Sequence, residues 1–238
     1  MYDGVKWIKN NEKRKGKIRM QTFESIRKDK AIATYIEAAD RSLSAIGFTE
    51  HSFPHALRVA EVAASILAAV GYDERMQELA RIAGYMHDIG NLVNRQRHSE
   101  TGATLAFTLL SARGFSPDEI APIVSAIGNH DEGSGSPVSP LAAALILADK
   151  SDVRRSRVRD GSLGHIATDI HDRVNYSATD ARLTVKDGEV TLSLTIDTAI
   201  SSVLEYFEIF TERMLLCRKA AMTLGLRFRL FANGQALF

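Results

Sequence analysis

The sequence predicts a mainly helical protein, a helical bundle that carries a small α+β appendage at its C-terminal end. Apolar residues between about 30 and 150 recur at the spacing of helices with one buried face. Serine, aspartate, proline and glycine stand at positions typical of helix starts and ends. After residue 160 apolar and polar residues alternate, which indicates strands.

The first two predicted helices are marked by their ends. Apolar residues from Val59 to Val70 follow one helical face, and Gly71 ends that run. The second helix begins at Asp73, which is a candidate N-cap residue. A third helix is predicted over about 99–113, before Gly114.

The next two helices have the clearest start signals. Ser116-Pro117-Asp118-Glu119 has the spacing of a capping box, with proline at the first helical position. Ser139-Pro140 opens a fifth helix, whose apolar run leads to Asp149. These signals complete a helical stretch of about 120 residues, which is long enough to bury a core.

The last part of the chain is predicted to be α+β. The segment ARLTVKDGEVTLSLTID alternates on both sides of Asp187-Gly188, a pair typical of hairpin turns. A long helix over about 198–224 follows, and RFRLFANG suggests a further short strand. We therefore predict a basic N-terminal arm (1–30), a helical domain (31–160) and the appendage (161–238).

Charge is concentrated near the start of the chain, although the net charge is only +1. Residues 1–30 hold ten lysines and arginines against four acids, as a solvated arm would. The near-neutral balance argues against a stable nucleic-acid complex or a membrane partner. The single cysteine, Cys217, excludes an intrachain disulfide, and no secretory or membrane-spanning segment is predicted. We expect a cytoplasmic protein.

Histidines and aspartates stand at the ends of the predicted helices. These residues are His51, His55, His87, Asp88, His98, His130, Asp131 and Asp149. Each could be an ordinary surface or core residue with a hydrogen-bond partner. Together they could instead bind a shared cation, because buried imidazoles and carboxylates are costly unless paired or metal-bound. Mixed nitrogen and oxygen ligands suit Fe, Mn, Zn or Ni better than Ca or Mg.

The same residues resemble the motifs of the HD superfamily of metal-dependent phosphohydrolases. His55 in HALRVA, His87-Asp88 in HDIG and the later Asp149 carry the resemblance over about 45–155. HSETGA and HDEGSGSP are similar to the additional histidine segments of HD-GYP phosphodiesterases. Asn91 stands where those enzymes usually have lysine, and GSP replaces their Gly-Tyr-Pro sequence. The resemblance therefore implies the broader superfamily chemistry, without cyclic dinucleotide specificity.

That resemblance implies a pair of divalent transition-metal ions, with Fe or Mn favoured over Zn or Ni. The implied ligands are His55, His87, Asp88, His98, His130 and Asp149. Asp88 would bridge the two ions, with His98 and His130 completing the second. His51 and Asp131 are candidate ligands of a third ion.

Basic residues after Asp149 are candidates for binding phosphate. Residues predicted to act in catalysis are Asp88, Lys150 and Arg154, and those predicted to bind substrate are Lys150, Arg154, Arg155 and Asn91. Alternatively, the basic residues form a solvated helix end that pairs with Asp149 and Asp152. Asp152 could orient a metal ligand or be an ordinary ion-pair partner.

The implied function is hydrolysis of a phosphate mono- or diester, a nucleotide being one candidate, by a hydroxide that bridges two metal ions. The alternative is a catalytically silent metal-binding module with a regulatory or scaffold role. We expect a small phosphorylated molecule and a second copy of the chain as partners. A homodimer is suggested because the segment 203–216 is apolar on more than one side.

Overall fold

A computed structural model of the chain describes residues 21–161 and 163–237, without the side chains of residues 163, 165 and 167. Residues 1–20 of the predicted arm lie outside this range. The end of the arm differs from the prediction, because helix α1 (Phe23–Arg27) buries Phe23 and Ile26. From Phe23 onwards, therefore, the chain is part of the helical body.

Six further helices form the bundle. They are α2 (Lys30–Ala45), α3 (Phe53–Ala69), α4 (Glu74–Met86), α5 (His98–Ala112), α6 (Pro117–Gly128) and α7 (Pro140–Lys150). Helices α3 and α4 pack against each other, and α7 packs against both. Every residue of α7 from Leu141 to Ala148 is buried. A helix with no polar face is stable only in the interior, so α7 is the centre of the bundle.

The predicted start and stop signals are confirmed. The Asp73 carboxylate accepts a hydrogen bond from the Met76 amide at 2.8 Å, and Ser116 and Glu119 form the predicted capping box. Gly71 ends α3 with a φ of 88°, a left-handed conformation that costs glycine little. These local signals place the helix ends that later carry the metal-binding side chains.

The appendage contains two short helices, a four-stranded sheet and one long helix. Its elements are α8 (Leu163–Thr168), α9 (Ile170–Ser177), β1 (Ala178–Lys186), β2 (Glu189–Ile196), α10 (Val203–Thr223), β3 (Arg227–Ala232) and β4 (Gln235–Ala236). The predicted hairpin turns at Asp187 and Gly188, both with positive φ. Strand β3 pairs parallel to β2, so α10 is the crossover helix between them.

Helix α10 begins later than predicted, because Ser202 and Glu205 form a capping box at its start. It packs against α7 of the bundle and against the sheet. Buried apolar residues of the bundle, α10 and the sheet form one continuous cluster, which includes Tyr206, Phe210 and Cys217. The helical part and the appendage therefore share a core. Within the described residues, no helix has the length and apolar character to cross a membrane.

Candidate metal centre

The side chains predicted to bind metal converge where helix ends of the bundle meet. His55 lies in the first turn of α3, His98 opens α5, and Asp149 lies in the last turn of α7. His87 caps the C-terminal end of α4. Nε2 of His55 lies 3.4 Å from Oδ1 of Asp149, although 94 positions separate these residues in the numbering. Packing around α7 thus brings together groups that are distant in sequence.

One group of donors, the first half-site, consists of His55, His87, Asp149 and Oδ2 of Asp88. The Nε2 atoms of His55 and His87 lie 3.3 Å apart. Oδ1 of Asp149 lies 3.7 Å from Nε2 of His87, and Oδ2 of Asp88 lies 3.1 Å from the same nitrogen. The donor atoms of His55, His87 and Asp149 all lie within 4.8 Å of one another, and Asp88 adds a second carboxylate oxygen beside His87.

The other group, the second half-site, consists of His98, His130 and Oδ1 of Asp88. The Nε2 atoms of the two imidazoles lie 3.2 Å apart. Oδ1 of Asp88 lies 3.4 Å from Nε2 of His98 and 3.9 Å from Nε2 of His130. The two oxygens of Asp88 therefore face different pairs of imidazoles, as a bridging carboxylate would.

The other ring nitrogen of each of the four histidines contacts an oxygen atom that can only accept a hydrogen bond. The pairs are His55 with Asp152 at 2.7 Å, His87 with the Gly84 carbonyl at 2.7 Å, His98 with the Arg95 carbonyl at 3.1 Å, and His130 with the Ile127 carbonyl at 2.7 Å. Nδ1 must carry the hydrogen in each pair, which leaves a lone pair on Nε2 in the neutral ring. Lone pairs that face each other at these distances repel unless a cation lies between them, so the donor set fits a divalent metal.

Electrostatics also require positive charge at the first half-site. Burial alone would lower the pKa of His87, but the carboxylates of Asp88 and Asp149 raise it to about 10. A proton on Nε2 supplies that charge when no metal ion is bound. Burial lowers the pKa of His130 to about 3, so this imidazole is neutral at pH 7, as a metal ligand must be.

A tight turn between α4 and α5 sets the position of the second half-site. Residues Ile89–Leu92 form a single 3₁₀ turn. A Cβ atom at Gly90 would overlap the carbonyl oxygen of His98 and the amide of Gly102. Glycine at position 90 thus lets α5 approach closely enough to bring His98 to Asp88.

The predicted role of Asn91 in substrate binding is not supported by its contacts. Its side-chain amide donates to the backbone carbonyl of Asp88 at 2.9 Å and to Oδ1 of Asp88 at 3.0 Å. Asn91 is buried, and these two hydrogen bonds orient the Asp88 carboxylate.

A cavity of about 360 Å³ borders the metal-binding side chains on one side and the appendage on the other. Lys150, which was predicted to bind substrate, lines this cavity. Its ammonium group lies 2.8 Å from Asp149 and 2.5 Å from Glu132. Burial opposes the charge on Lys150, but those two carboxylates raise its pKa. Lys150 is therefore a cation held at the edge of the first half-site.

Glu132 and Arg213 are among the cavity residues that the sequence analysis missed. Glu132 pairs with Lys150 and also with Nε of Arg213, at 2.7 Å. Glu132 directly follows His130-Asp131, a signal that could have found it. Arg213 lies on α10 among apolar residues, and nothing in its local sequence points to the metal centre.

Arg154 and Arg155 were predicted to bind substrate beside Asp149, and Arg154 to act in catalysis, but both side chains make their contacts elsewhere, so these roles stay predictions. Nε of Arg154 donates to Asp152 at 2.9 Å, and Nε of Arg155 donates to the Tyr176 carbonyl at 2.6 Å. Both arginines line a separate cavity of about 310 Å³. Their side chains point away from the metal centre because Asp152 and the Tyr176 carbonyl of the appendage accept their hydrogen bonds.

The two candidate ligands of a third metal border the cluster. The His51 ring centroid lies 5.5 Å from that of His55, and burial lowers the His51 pKa well below its usual value. Oδ1 of Asp131 lies 3.9 Å from Nε2 of His98. A third metal at either position stays a prediction.

Fold and site together define a helical protein whose His/Asp centre could hold divalent metal. Residues 53–154 match the HD domain family, in agreement with the superfamily that the sequence motifs predict. A crystal structure of a predicted HD superfamily hydrolase from an uncultured Thermotogales bacterium is 27% identical, with a TM-score of 0.42, over 52% of this chain and 68% of that one. No curated protein matches the chain.

Proposed function

We propose that the protein is a metal-dependent phosphohydrolase that cleaves a phosphate mono- or diester. The observation that carries the proposal is the arrangement around Asp88. Each of its carboxylate oxygens faces two imidazole nitrogens whose lone pairs converge. An HD domain over residues 53–154 agrees with this chemistry.

A pair of divalent cations held there would activate water and neutralise charge on the phosphoryl oxygens. The protein's own groups would do the rest. Asp152 and three backbone carbonyls fix the four imidazoles in orientation. Lys150, held by Glu132 and Asp149, can donate a charge-assisted hydrogen bond to a phosphoryl oxygen. Fe or Mn are the metals we propose, with Zn or Ni as alternatives.

The silent metal-binding module remains the second candidate. The observation that favours it is the pairing of Lys150 and Arg213 with Glu132, because neutralised cations bind a phosphate less strongly. Under this alternative the protein would bind metal without turnover.

The deciding experiment measures the hydrolysis of a panel of aryl phosphates and nucleotides by purified protein loaded with Mn²⁺ or Fe²⁺. Asp88→Asn should reduce hydrolysis by more than about 100-fold, since the bridging charge is lost. Asp187→Asn is the control, because it makes the same chemical change at a side chain that is 84% exposed. Unchanged activity in Asp88→Asn would place hydrolysis elsewhere. Metal binding without any turnover would favour the silent module.

A further inference from the structure

Four cationic side chains line the cavity, and their surroundings differ. Lys150 and Arg213 pair with Glu132. Arg157 is buried and donates to the carbonyls of Glu50 and Asp152 at 2.9 and 3.0 Å. Arg95, the fourth, forms no ion pair with any carboxylate in the part of the chain that the structure describes. The guanidinium group of Arg95 is therefore available to form an ion pair with a bound anion.

Arg95 is held beside the second half-site by weak contacts. Its NH1 nitrogen lies 3.3 Å from Nε2 of His98 and 3.5 Å from the Asn91 side-chain oxygen. The guanidinium carbon lies 5.2 Å from the ring centroid of Phe48, a cation–π distance. Within the described residues, Nε and NH2 have no hydrogen-bond acceptor, so they remain available to a ligand.

Charge repulsion between Arg95 and a bound metal ion indicates that the ligand is an anion. A divalent cation between His98 and His130 would lie close to the guanidinium, and two positive charges in a partly buried site repel each other. An anion that contacts both removes the repulsion. A phosphoryl group suits this place, because its oxygens match the two parallel N–H donors of a guanidinium fork.

We propose that Arg95 and the second half-site form the anion subsite that binds the phosphoryl group of the substrate. The inference rests on the proposed function for the identity of that anion. It assigns to Arg95 the role that the sequence suggested for Arg154 and Arg155. The cavity then leaves the appendage wall, which includes His171 and Phe210, to contact the rest of the molecule.

The test measures binding of inorganic phosphate to the Mn²⁺-loaded protein by calorimetry. Arg95→Gln should weaken phosphate binding by at least about 10-fold, and Arg95→Lys should recover only part of it, because lysine keeps the charge without the fork. Arg97→Gln is the matched control. Arg97 is exposed, lies two positions away and undergoes the same loss of charge. Metal content is measured in every variant. If Arg95→Gln loses metal, the comparison of phosphate binding between Arg95→Lys and the wild type becomes the test.

The outcomes separate this inference from the proposed function. Phosphate binding that depends on Arg95 would support the subsite even if no ester is hydrolysed. Hydrolysis with unchanged KM and unchanged phosphate inhibition in Arg95→Gln would overturn the subsite and leave the hydrolase standing. Absence of phosphate binding to the metal-loaded wild type would also overturn it.

Discussion

Nδ1 of His55 lies 2.7 Å from Oδ2 of Asp152, and this carboxylate fixes the imidazole that faces the first half-site. Oδ1 of Asp152 also accepts a hydrogen bond from Nε of Arg154 at 2.9 Å and lies 3.0 Å from Nε of Arg58 in an ion pair. Although burial opposes its charge, the hydrogen bond from His55 holds the pKa of Asp152 well below its usual range. The interpretation of Asp152 as a carboxylate that orients a ligand is thereby supported over that of a simple ion-pair partner.

Replacing this carboxylate should weaken metal binding. Asp152→Asn removes the charged acceptor that holds the His55 ring in orientation, and we expect about 10- to 100-fold lower metal affinity. Competition with a chromogenic chelator measures it. Asp180→Asn, at a side chain 55% exposed, controls for the chemical change. Equal affinities in the two variants would assign Asp152 to stability alone.

Metal content should reveal two separable half-sites. We expect about two ions per chain in the wild type by mass spectrometry. His130→Ala should reduce this to about one ion, because only the second half-site loses a ligand. Asp88→Asn should lower the occupancy of both. A His130→Ala variant that keeps the wild-type content would show that the imidazoles do not form two groups.

Gly90 should be intolerant of a methyl group. Gly90→Ala places Cβ against the His98 carbonyl, so α5 must shift, and we expect a loss of about 1–3 kcal/mol in stability. The second half-site should then lose metal as well. Gly128→Ala is the control, because its Cβ would meet only the Ala103 side chain at 3.6 Å. Thermal unfolding and metal analysis together test this, and a Gly90→Ala protein that keeps both properties would contradict the close approach.

Asp29 gives a pH-dependent contribution to stability. Its carboxylate caps α2 and lies 2.7 Å from Nε of Arg113, which lowers its pKa from 3.8 to about 2. Because the folded-state pKa is the lower one, the stabilisation is complete above 3.8 and disappears as the pH falls through about 2.

Asp29→Asn keeps an amide that can cap the helix and removes only the charge. We expect it to cost about 1 kcal/mol at pH 7, because solvent screens part of the ion pair. Urea unfolding of both proteins at pH 7 and pH 3 tests the sign. The difference should be smaller at pH 3, and a difference that grows on acidification would contradict the assignment.

A chain that ends at residue 160 should not fold properly. Helix α10 buries Tyr206 and Phe210 within the core it shares with α7, so truncation would expose apolar surface on the central helix. Loss of near-ultraviolet circular dichroism and binding of a hydrophobic dye would show it. A compact, metal-binding fragment would instead support the separate domains predicted from the sequence.

Local signals explain what the sequence could predict. The Asp73 cap, the Ser116 capping box and the Asp187-Gly188 turn depend on neighbouring residues, so short patterns reveal them. The clustering of the candidate metal ligands was predictable for two reasons. Each stands at the start or end of a helical pattern, and the resemblance to a known family assigned them to one site.

Long-range contacts explain what it could not predict. The pairing of Arg154 with Asp152 was one of the alternatives drawn from the sequence. Its contact with Glu50, which lies 104 positions earlier, could not be seen in any local pattern. The parallel pairing of β3 with β2 depends on how α10 crosses the sheet. Arg213 reaches the cavity only because α10 packs on α7.

The cavity is walled on one side by the metal-binding side chains and on the other by α9 and α10. Under the proposed function, reactivity and choice of substrate would be encoded in separate stretches of the gene. Sequence changes between Asp169 and Arg213 could then alter the substrate preference. The metal ligands contributed by α3 to α7 would stay unchanged.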